Sequence, residues 1–387
     1  MRKERWLLPE GIEEALPPEA EHLEKLRRRL LDLFHRWGYE LVMPPLIEYL
    51  DSLLVGTGSD LDLQTFKLID QLTGRLMGVR ADMTPQVARI EAHRLKREAP
   101  TRLCYVGTVL HTRPEVPGGT RSPLHVGAEL YGHAGVESDV EVLRLLWEAL
   151  KEAGVEGVHL DLGHVGIFRS LVKGRLSQEE ESELFDALQR KAKADIRSLL
   201  KGAGPWREKL MRLADLHGGE EVLKEARDAL GEEVDAPLSA LEKAAGMLKR
   251  FLPEAPLHFD LAELRGYRYH TGIVFAAYVE GQGQAVAQGG RYDDIGRAFG
   301  RARPATGFSL DLKALIPLLS QQPYPPESIC APWPEDDVLE SLIRQLRAQG
   351  ERVIHILPGA SGMPGCRRVI AKRGGQWQVV DIEETHG

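Results

Sequence analysis

Four stretches of this chain concentrate side chains able to form ion pairs and hydrogen bonds with a ligand. Val79 to Pro85 places Arg80, Asp82 and Thr84 at alternate positions, so an extended backbone turns a cation, a carboxylate and a hydroxyl to one side. Arg113 to Glu129 is dense in ionisable groups between two apolar runs. Leu264 to Gly272 sets Arg265, Tyr267, Arg268, Tyr269 and His270 between glycines. Gln288 to Asp294 opens on Gly289-Gly290, a pair that lets backbone approach a ligand closely. Each stretch also has a plain structural reading. Exposed Arg/Asp pairs are often weak surface bridges, Gly-Gly-Arg-Tyr-Asp suits a turn, and Tyr and His in one segment suit satisfied core polar groups. None is a Walker-type loop, a zinc motif or a nucleophile elbow, so phosphate-loop NTPase, zincin and hydrolase chemistries have no support.

The elements that must position these residues are legible from periodicity. Leu23, Leu26, Leu30, Phe34 and Trp37 recur at helical spacing over 19–37, after Pro17-Pro18 and before Gly38. Tyr39 to Pro44 alternates as a strand. Strands at 101–111 and 123–131 flank the Gly/Pro-rich turn at Pro117, which predicts an antiparallel hairpin. A helix is expected over 137–153 and a strand from Val158. From about 165 to 250 strands vanish and charged amphipathic helices take over, an apparent insertion. Strands return at Leu257, at Gly272–Val279 and at Gln284–Gln288, and a helix begins near Leu310. Gln321 to Glu327 reads as a linker. Beyond it, strand 328–331, helix 336–348 and strands 352–357, 368–371 and 376–381 make a short α/β unit. The expected fold is α+β: an antiparallel sheet flanked by helices over 1–320, with the insertion at about 165–250, then a small α/β domain over 327–387.

Composition narrows the partners. The chain has 387 residues and a net charge of −8, whereas a dedicated nucleic-acid binder usually shows a basic face. No run is long or apolar enough for a signal peptide or a membrane helix. Cys104, Cys330 and Cys366 are widely spaced without a CxxC pair. That argues against structural zinc, and the odd number argues against a disulfide framework; a reducing cytoplasm is expected. No metal and no cofactor is expected.

Taken together and in order, the motifs resemble a class II aminoacyl-tRNA synthetase, specifically the histidine enzyme, over about residues 5–318. Trp37-Gly-Tyr-Glu resembles the dimer-forming motif 1, and Gly107 to Glu115 resembles motif 2. Arg80-Ala-Asp-Met-Thr resembles the Arg-Pro-Glu-Gly-Thr of that family. Arg265-Gly-Tyr-Arg-Tyr-His resembles its Arg-Gly-Leu-Asp-Tyr-Tyr, and Gly289 to Asp293 with Gly307 to Leu312 resembles its motif 3 region. The departures fall on the nucleotide side. His111 stands for the motif 2 arginine, Arg113 for the adenine-side glutamate and Ala314 for the motif 3 arginine, and Asp311 replaces a glycine where it would repel phosphate. A triphosphate must be held by arginines and metal, so adenylation is not expected.

On the amino-acid side the resemblance implies a histidine pocket of Asp82, Thr84, His125, Glu129, Arg265, Tyr269 and His270. Arg113-Pro114 through Arg121 to Gly127-Ala-Glu-Leu-Tyr-Gly132 is typical of the synthetase-like regulatory subunits of ATP phosphoribosyltransferase. That family implies self-association as synthetase-like dimers and a short-form catalytic partner in a hetero-octamer. It also implies activation of that partner, with feedback inhibition by histidine. tRNA is not expected as a ligand, because the chain is acidic and its tail is shorter than an anticodon-reading domain. An active histidyl-tRNA synthetase without a full anticodon-binding domain is the competing reading, with histidine-dependent ATP–pyrophosphate exchange as its mark. A synthetase-like sensor of uncharged tRNA would need a kinase or basic RNA-binding module, and neither is visible.

Overall fold

The computed structural model describes residues 6–319 and 327–382, apart from 56–58, 115, 117, 203, 265, 267, 268 and 360–364. The linker expected at 321–327 lies outside these but for its last residue. The chain divides into two compact units. One comprises Met1–Ala15 and His22–Gln322, the other Leu16–Glu21 and Pro323–Gly387.

The larger unit is built on a nine-stranded sheet. From one edge to the other its strands are Glu40–Leu41, Thr101–Thr108, Leu124–Tyr131, Ala305–Asp311, Ala287–Arg291, Ile273–Val279, Val158–His164, Leu257–Asp260 and His217–Gly218. Pairing is antiparallel through the centre, as the hairpin at 101–131 requires, and parallel at two places near the edges. The sheet is therefore mixed, where the hairpin pattern alone suggested an antiparallel one. A separate three-stranded sheet of Ile47–Tyr49, Leu76–Val79 and Phe66–Ile69, whose strands are only three or four residues long, was not expected from the periodicity.

The twofold alternation of strands sorts side chains onto two faces. Val126, Ala128 and Leu130, with Phe308 and Leu310, join the main core beneath the helices. That core takes Leu23, Leu26, Leu30 and Phe34 from the helix Glu19–Arg36 and Leu143, Leu146 and Leu150 from Val136–Ala153. Trp37 lies just past the end of the first helix, half-buried, and donates to Glu148 at 3.0 Å. The intervening positions, among them His125, Glu129, Gly307 and Ser309, face the other way and build a cavity.

The insertion is helical as expected, with a Ser177/Glu180 capping box starting Gln178–Gln189. It is not purely helical: His217–Gly218 adds to the sheet edge alongside Leu257–Asp260. The helix near Leu310 is a single turn, Leu312–Leu315.

The smaller unit has a four-stranded sheet whose order is Val353–Ile356, Ile329–Pro332, Arg368–Arg373, Gln376–Asp381, with the helix Asp337–Ala348 packed on it. Here the cysteine expectation fails. Cys330 and Cys366 form a disulfide with Cα atoms 5.8 Å apart, because the chain returns beside the Ile329–Pro332 strand just before Arg368. The third cysteine, Cys104, is left free in the apolar core of the larger unit, where burial pushes its thiol up to about 12. Among the described residues, no helix is long and apolar enough to cross a membrane, and no group of three or more His, Cys, Asp or Glu is placed to hold a metal ion.

One buried ion pair ties the helix Val136–Ala153 to the sheet. Arg291 meets Asp139 Oδ2 through Nε at 3.1 Å and Nη2 at 2.9 Å, and also reaches Ser138 Oγ at 2.8 Å and the carbonyls of His133 and Gly135. Asp139→Ala leaves this guanidinium buried with only the part-exposed Asp293, 3.3 Å from Nη1, as counter-charge. Urea unfolding at neutral pH should show a loss of about 3–5 kcal/mol, and a much smaller loss when both partners are replaced by apolar residues of similar volume.

Candidate functional site

Six of the seven residues expected in the pocket line one cavity of about 600 Å³: Asp82, Thr84, His125, Glu129, Tyr269 and His270. Arg265 lies outside the described residues. The size is ordinary for a small-molecule site.

Glu129 is the centre of the arrangement. It is 1% exposed, on the strand Leu124–Tyr131. Tyr105 donates to its Oε1 at 3.0 Å, Thr84 Oγ1 approaches the same oxygen at 3.2 Å, and the Tyr292 hydroxyl donates to Oε2 in a short bond. Two glycines, one on its own strand and one on the next, make room for it. A Cβ at Gly307, which is in register with Glu129, would collide with its carboxylate, and one at Gly127 would collide with the Tyr105 ring. Burial pushes the carboxyl up to about 8, against the donors from Tyr292, Tyr105 and Thr84, with Asp82 adding to the rise.

The segment Val79 to Pro85 does not stay extended. Met83 is already helical and Thr84 begins the helix Thr84–Arg89, so the expected one-sided array breaks up. Asp82 and Thr84 face the cavity, with Asp82 Oδ1 accepting from the Thr84 amide at 3.2 Å and lying 3.3 Å from its hydroxyl. Arg80 turns away and is 7% exposed. Its Nε donates to the Thr108 carbonyl at 2.9 Å and its Nη1 to that of Pro44 at 2.8 Å, crossing Gly107, where any side chain would strike the guanidinium.

Tyr269 and His270 follow a tight turn in which Gly266, at φ +65°, accepts from both their amides. Their rings lie against each other at 4.2 Å, His270 buried and Tyr269 40% exposed at the rim. Of the Gly-Gly-Arg-Tyr-Asp stretch, Gly289 and Tyr292 line the cavity, but Arg291 is spent on Asp139. The Gly289 position serves strand packing as well, since a Cβ there would collide with the Gly307 carbonyl.

On the nucleotide side, His111 is 2% exposed and forms part of the wall, with Nε2 2.9 Å from the Ala81 carbonyl. Arg113 and Ala314 are exposed and outside the lining. Asp311, expected to repel phosphate, is not in the lining either. Its Oδ1 accepts from the amides of Leu124 at 2.8 Å and Lys313 at 3.0 Å, capping the turn Leu312–Leu315. Among the described residues, the lining carries Asp82, Glu129, Asp186 and Glu263 and no lysine or arginine.

Sequence reasoning had Tyr292 in a candidate stretch but not its role in holding Glu129, and it missed Tyr105, which shares that role, and Phe185, Asp186 and Gln189, which the helical insertion brings to the lining. Isolated glycines inside strands at Gly127 and Gly307 were the available signal that a large buried group lay across them. Nothing in the periodicity of Gln178–Gln189 marks its cavity-facing side.

Comparison with known proteins agrees with this body plan. The family model described as histidyl-tRNA synthetase matches residues 11–315, and that described as the ATP phosphoribosyltransferase subunit HisZ C-terminal domain matches 326–380. The chain is 59% identical to an ATP phosphoribosyltransferase regulatory subunit of Nitrosococcus oceani, over 98% of each chain. It is 60% identical to one of Thioalkalivibrio sulfidiphilus, over 98% of this chain and 99% of that one. A crystal structure titled as an ATP phosphoribosyltransferase regulatory subunit/histidyl-tRNA synthetase from Bacillus halodurans superposes with a TM-score of 0.83 at 29% identity, covering 93% of this chain and 95% of that one. A histidyl-tRNA synthetase from Nostoc shares the fold at TM-score 0.76 and 16% identity, covering 98% and 95%.

Two measurements probe the site. An unfolded glutamate titrates near 4.5, whereas folded Glu129 keeps its proton to about 8, so its contribution to stability is greatest at low pH and falls as pH rises between these values. Glu129→Gln should therefore gain stability relative to the parent from pH 5 to pH 8, by up to a few kcal/mol, in denaturant titrations at each pH. Gly307→Ala should lose about 2 kcal/mol or more, through the clash with Glu129, in the same assay.

Proposed function

The chain belongs to the family of ATP phosphoribosyltransferase regulatory subunits, and on that premise we propose that it is the non-catalytic regulatory subunit for the first step of histidine biosynthesis. It activates a short-form catalytic subunit lacking a regulatory region of its own and carries the site through which free histidine inhibits the complex. The two subunits assemble as a hetero-octamer built on synthetase-like dimers of this chain.

The observation that carries this reading is the acidic make-up of the cavity wall. Carboxylates at Asp82 and Glu129 face it, and no lysine or arginine does among the described residues. The ammonium of a free amino acid finds its counter-charge there, with the Thr84 hydroxyl beside it. His125, Tyr269 and His270 offer hydrogen-bonding partners for the rest of the ligand, and Arg265 joins the set by its place in the sequence. Among the described residues a triphosphate finds no clamp, which supports reading this chain as one that makes no adenylate and charges no tRNA. The small unit supports the same reading, since it matches the C-terminal domain of regulatory subunits.

Regulation follows from linkage. Histidine binds one quaternary state of the complex more tightly than the other and shifts the population toward the inactive state by that difference alone. A hundredfold preference corresponds to about 2.7 kcal/mol, enough to invert an equilibrium poised within tenfold of balance.

Mixing the purified chain with a short-form catalytic subunit is the test. Phosphoribosyl transfer should appear on mixing and fall with added histidine, and the chain alone should show no histidine-dependent ATP–pyrophosphate exchange. Asp82→Ala and Glu129→Ala should each raise the histidine needed for half-inhibition by tenfold or more and leave activation without histidine intact. Unchanged inhibition in both variants would remove these residues from the site, and pyrophosphate exchange by the chain alone would contradict the reading as a whole.

A further inference from the structure

Cys330 and Cys366 form the one disulfide among the described residues, and the cavity does not involve it. Disulfides persist in oxidising surroundings. In a reducing cytoplasm, the compartment expected for this chain, they are usually transient and serve redox chemistry.

The two ends of the bridge differ in their surroundings. Cys330 sits on the strand Ile329–Pro332, between Val353–Ile356 and Arg368–Arg373 in the sheet. Ile329 and Ala331 share the core with Leu339 and Ile343 of the helix Asp337–Ala348, so alternation turns Cys330 to the opposite face, where it is wholly buried. Cys366 lies two residues before Arg368–Arg373 and is only half-buried.

The unit around the bridge has little else to hold it. Among the described residues its buried apolar core is Ile329, Ala331, Leu339, Ile343, Val353 and Ile370. A core so small leaves a short unit marginal, and small units commonly depend on a cross-link. The two cysteines are 36 positions apart, and the chain between them carries the helix Asp337–Ala348 and the strand Val353–Ile356. Closing a stretch of that length lowers the opened population by about a hundredfold or more.

We propose that the Cys330–Cys366 bridge is a site of reversible thiol–disulfide exchange, entered at Cys366 by a dithiol, and that its state sets how firmly the small unit is folded. A thiolate of the dithiol attacks Cys366 Sγ, forming a mixed disulfide there and breaking the Cys330–Cys366 bond, with Cys330 leaving as a thiolate. The second thiolate of the dithiol attacks its own sulfur in the mixed disulfide, closes the reagent's ring and releases the Cys366 thiolate. Two electrons pass to the bridge, and the two protons given up by the dithiol are taken up by the two cysteines. Cys104 takes no part: it lies in the core of the larger unit, and burial pushes its thiol up to about 12. The inference does not depend on what the cavity binds.

The full chain, in native buffer with dithiothreitol, provides the test. Free thiols are trapped with a maleimide and located by mass spectrometry, and amide hydrogen exchange is followed in parallel. The bridge should open at a rate that rises with dithiothreitol concentration, Cys330 and Cys366 should become labelled, and Cys104 should not. Exchange in the strands Ile329–Pro332 and Arg368–Arg373 should quicken about a hundredfold or more, while the sheet of the larger unit is unchanged and oxidised glutathione restores the slow rate. Cys330→Ala and Cys366→Ser should exchange fast with or without reductant. A bridge that survives dithiothreitol until the chain is unfolded by denaturant would make it a permanent staple and overturn the inference. Labelling of Cys104 together with the pair, or reduction that leaves exchange in the small unit unaltered, would overturn it as well; these readings are made on the parent chain and hold even if neither variant folds.

Discussion

Holding one carboxylate out of water is the constraint around which this cavity is built. Glu129 projects from the middle of the sheet and is almost wholly buried, and an isolated charge held so would be costly. The fold answers in two ways. Two neighbouring strand positions, Gly127 and Gly307, carry no side chain, which admits Tyr105 and the carboxylate itself. Tyr105, Tyr292 and Thr84 then supply donors. The balance still favours the protonated acid up to about pH 8. Near neutrality the empty site is therefore close to uncharged at this point, and an arriving cation supplies the charge that makes ionisation favourable.

The placement of arginines completes the same design. Arg80 and Arg291 belong to stretches where a synthetase-like reading looks for ligand contacts, yet both, like Arg303, are buried in structural roles. Arg80 bridges backbone carbonyls of two segments, Arg291 pins a helix to the sheet through Asp139, and Arg303 pairs with Glu91 and reaches the carbonyls of Arg97, Glu98 and Ala99. The guanidinium's several donors suit it to satisfying carbonyls where loops meet. What ionisable groups remain facing the cavity, among the described residues, are carboxylic acids and tyrosines, with His111, His125 and His270 as the nearest approach to a base.

Much of this was legible before the structure. The helix Glu19–Arg36, the central hairpin, the helical insertion and the order of elements in the small unit follow from periodicity and turn chemistry, since burial on one face imposes the repeat directly. The pocket set came from motif resemblance, and six of its members do meet around one cavity. What was not legible is orientation and proximity across the fold. Alternation assigned Arg80 to the same side as Asp82, but the helix starting at Thr84 breaks the period there. Asp311 read as a repelling charge because its role as a cap depends on Leu124, far away in sequence. Cys330 and Cys366 read as unpaired because spacing says nothing about which strands become neighbours. The insertion's Phe185 and Asp186 reach the cavity for the same long-range reason.

The central claim is that this cavity takes a free amino acid by ionising Glu129 against its ammonium. Proton counting tests it most directly, by titrating histidine into the chain at pH 7 in buffers of different ionisation enthalpy. Because Glu129 holds its proton to about 8 when the site is empty, binding should release close to one proton per chain, and Glu129→Gln should release none. Binding with no proton released, or the same release from the Gln variant, would contradict the account.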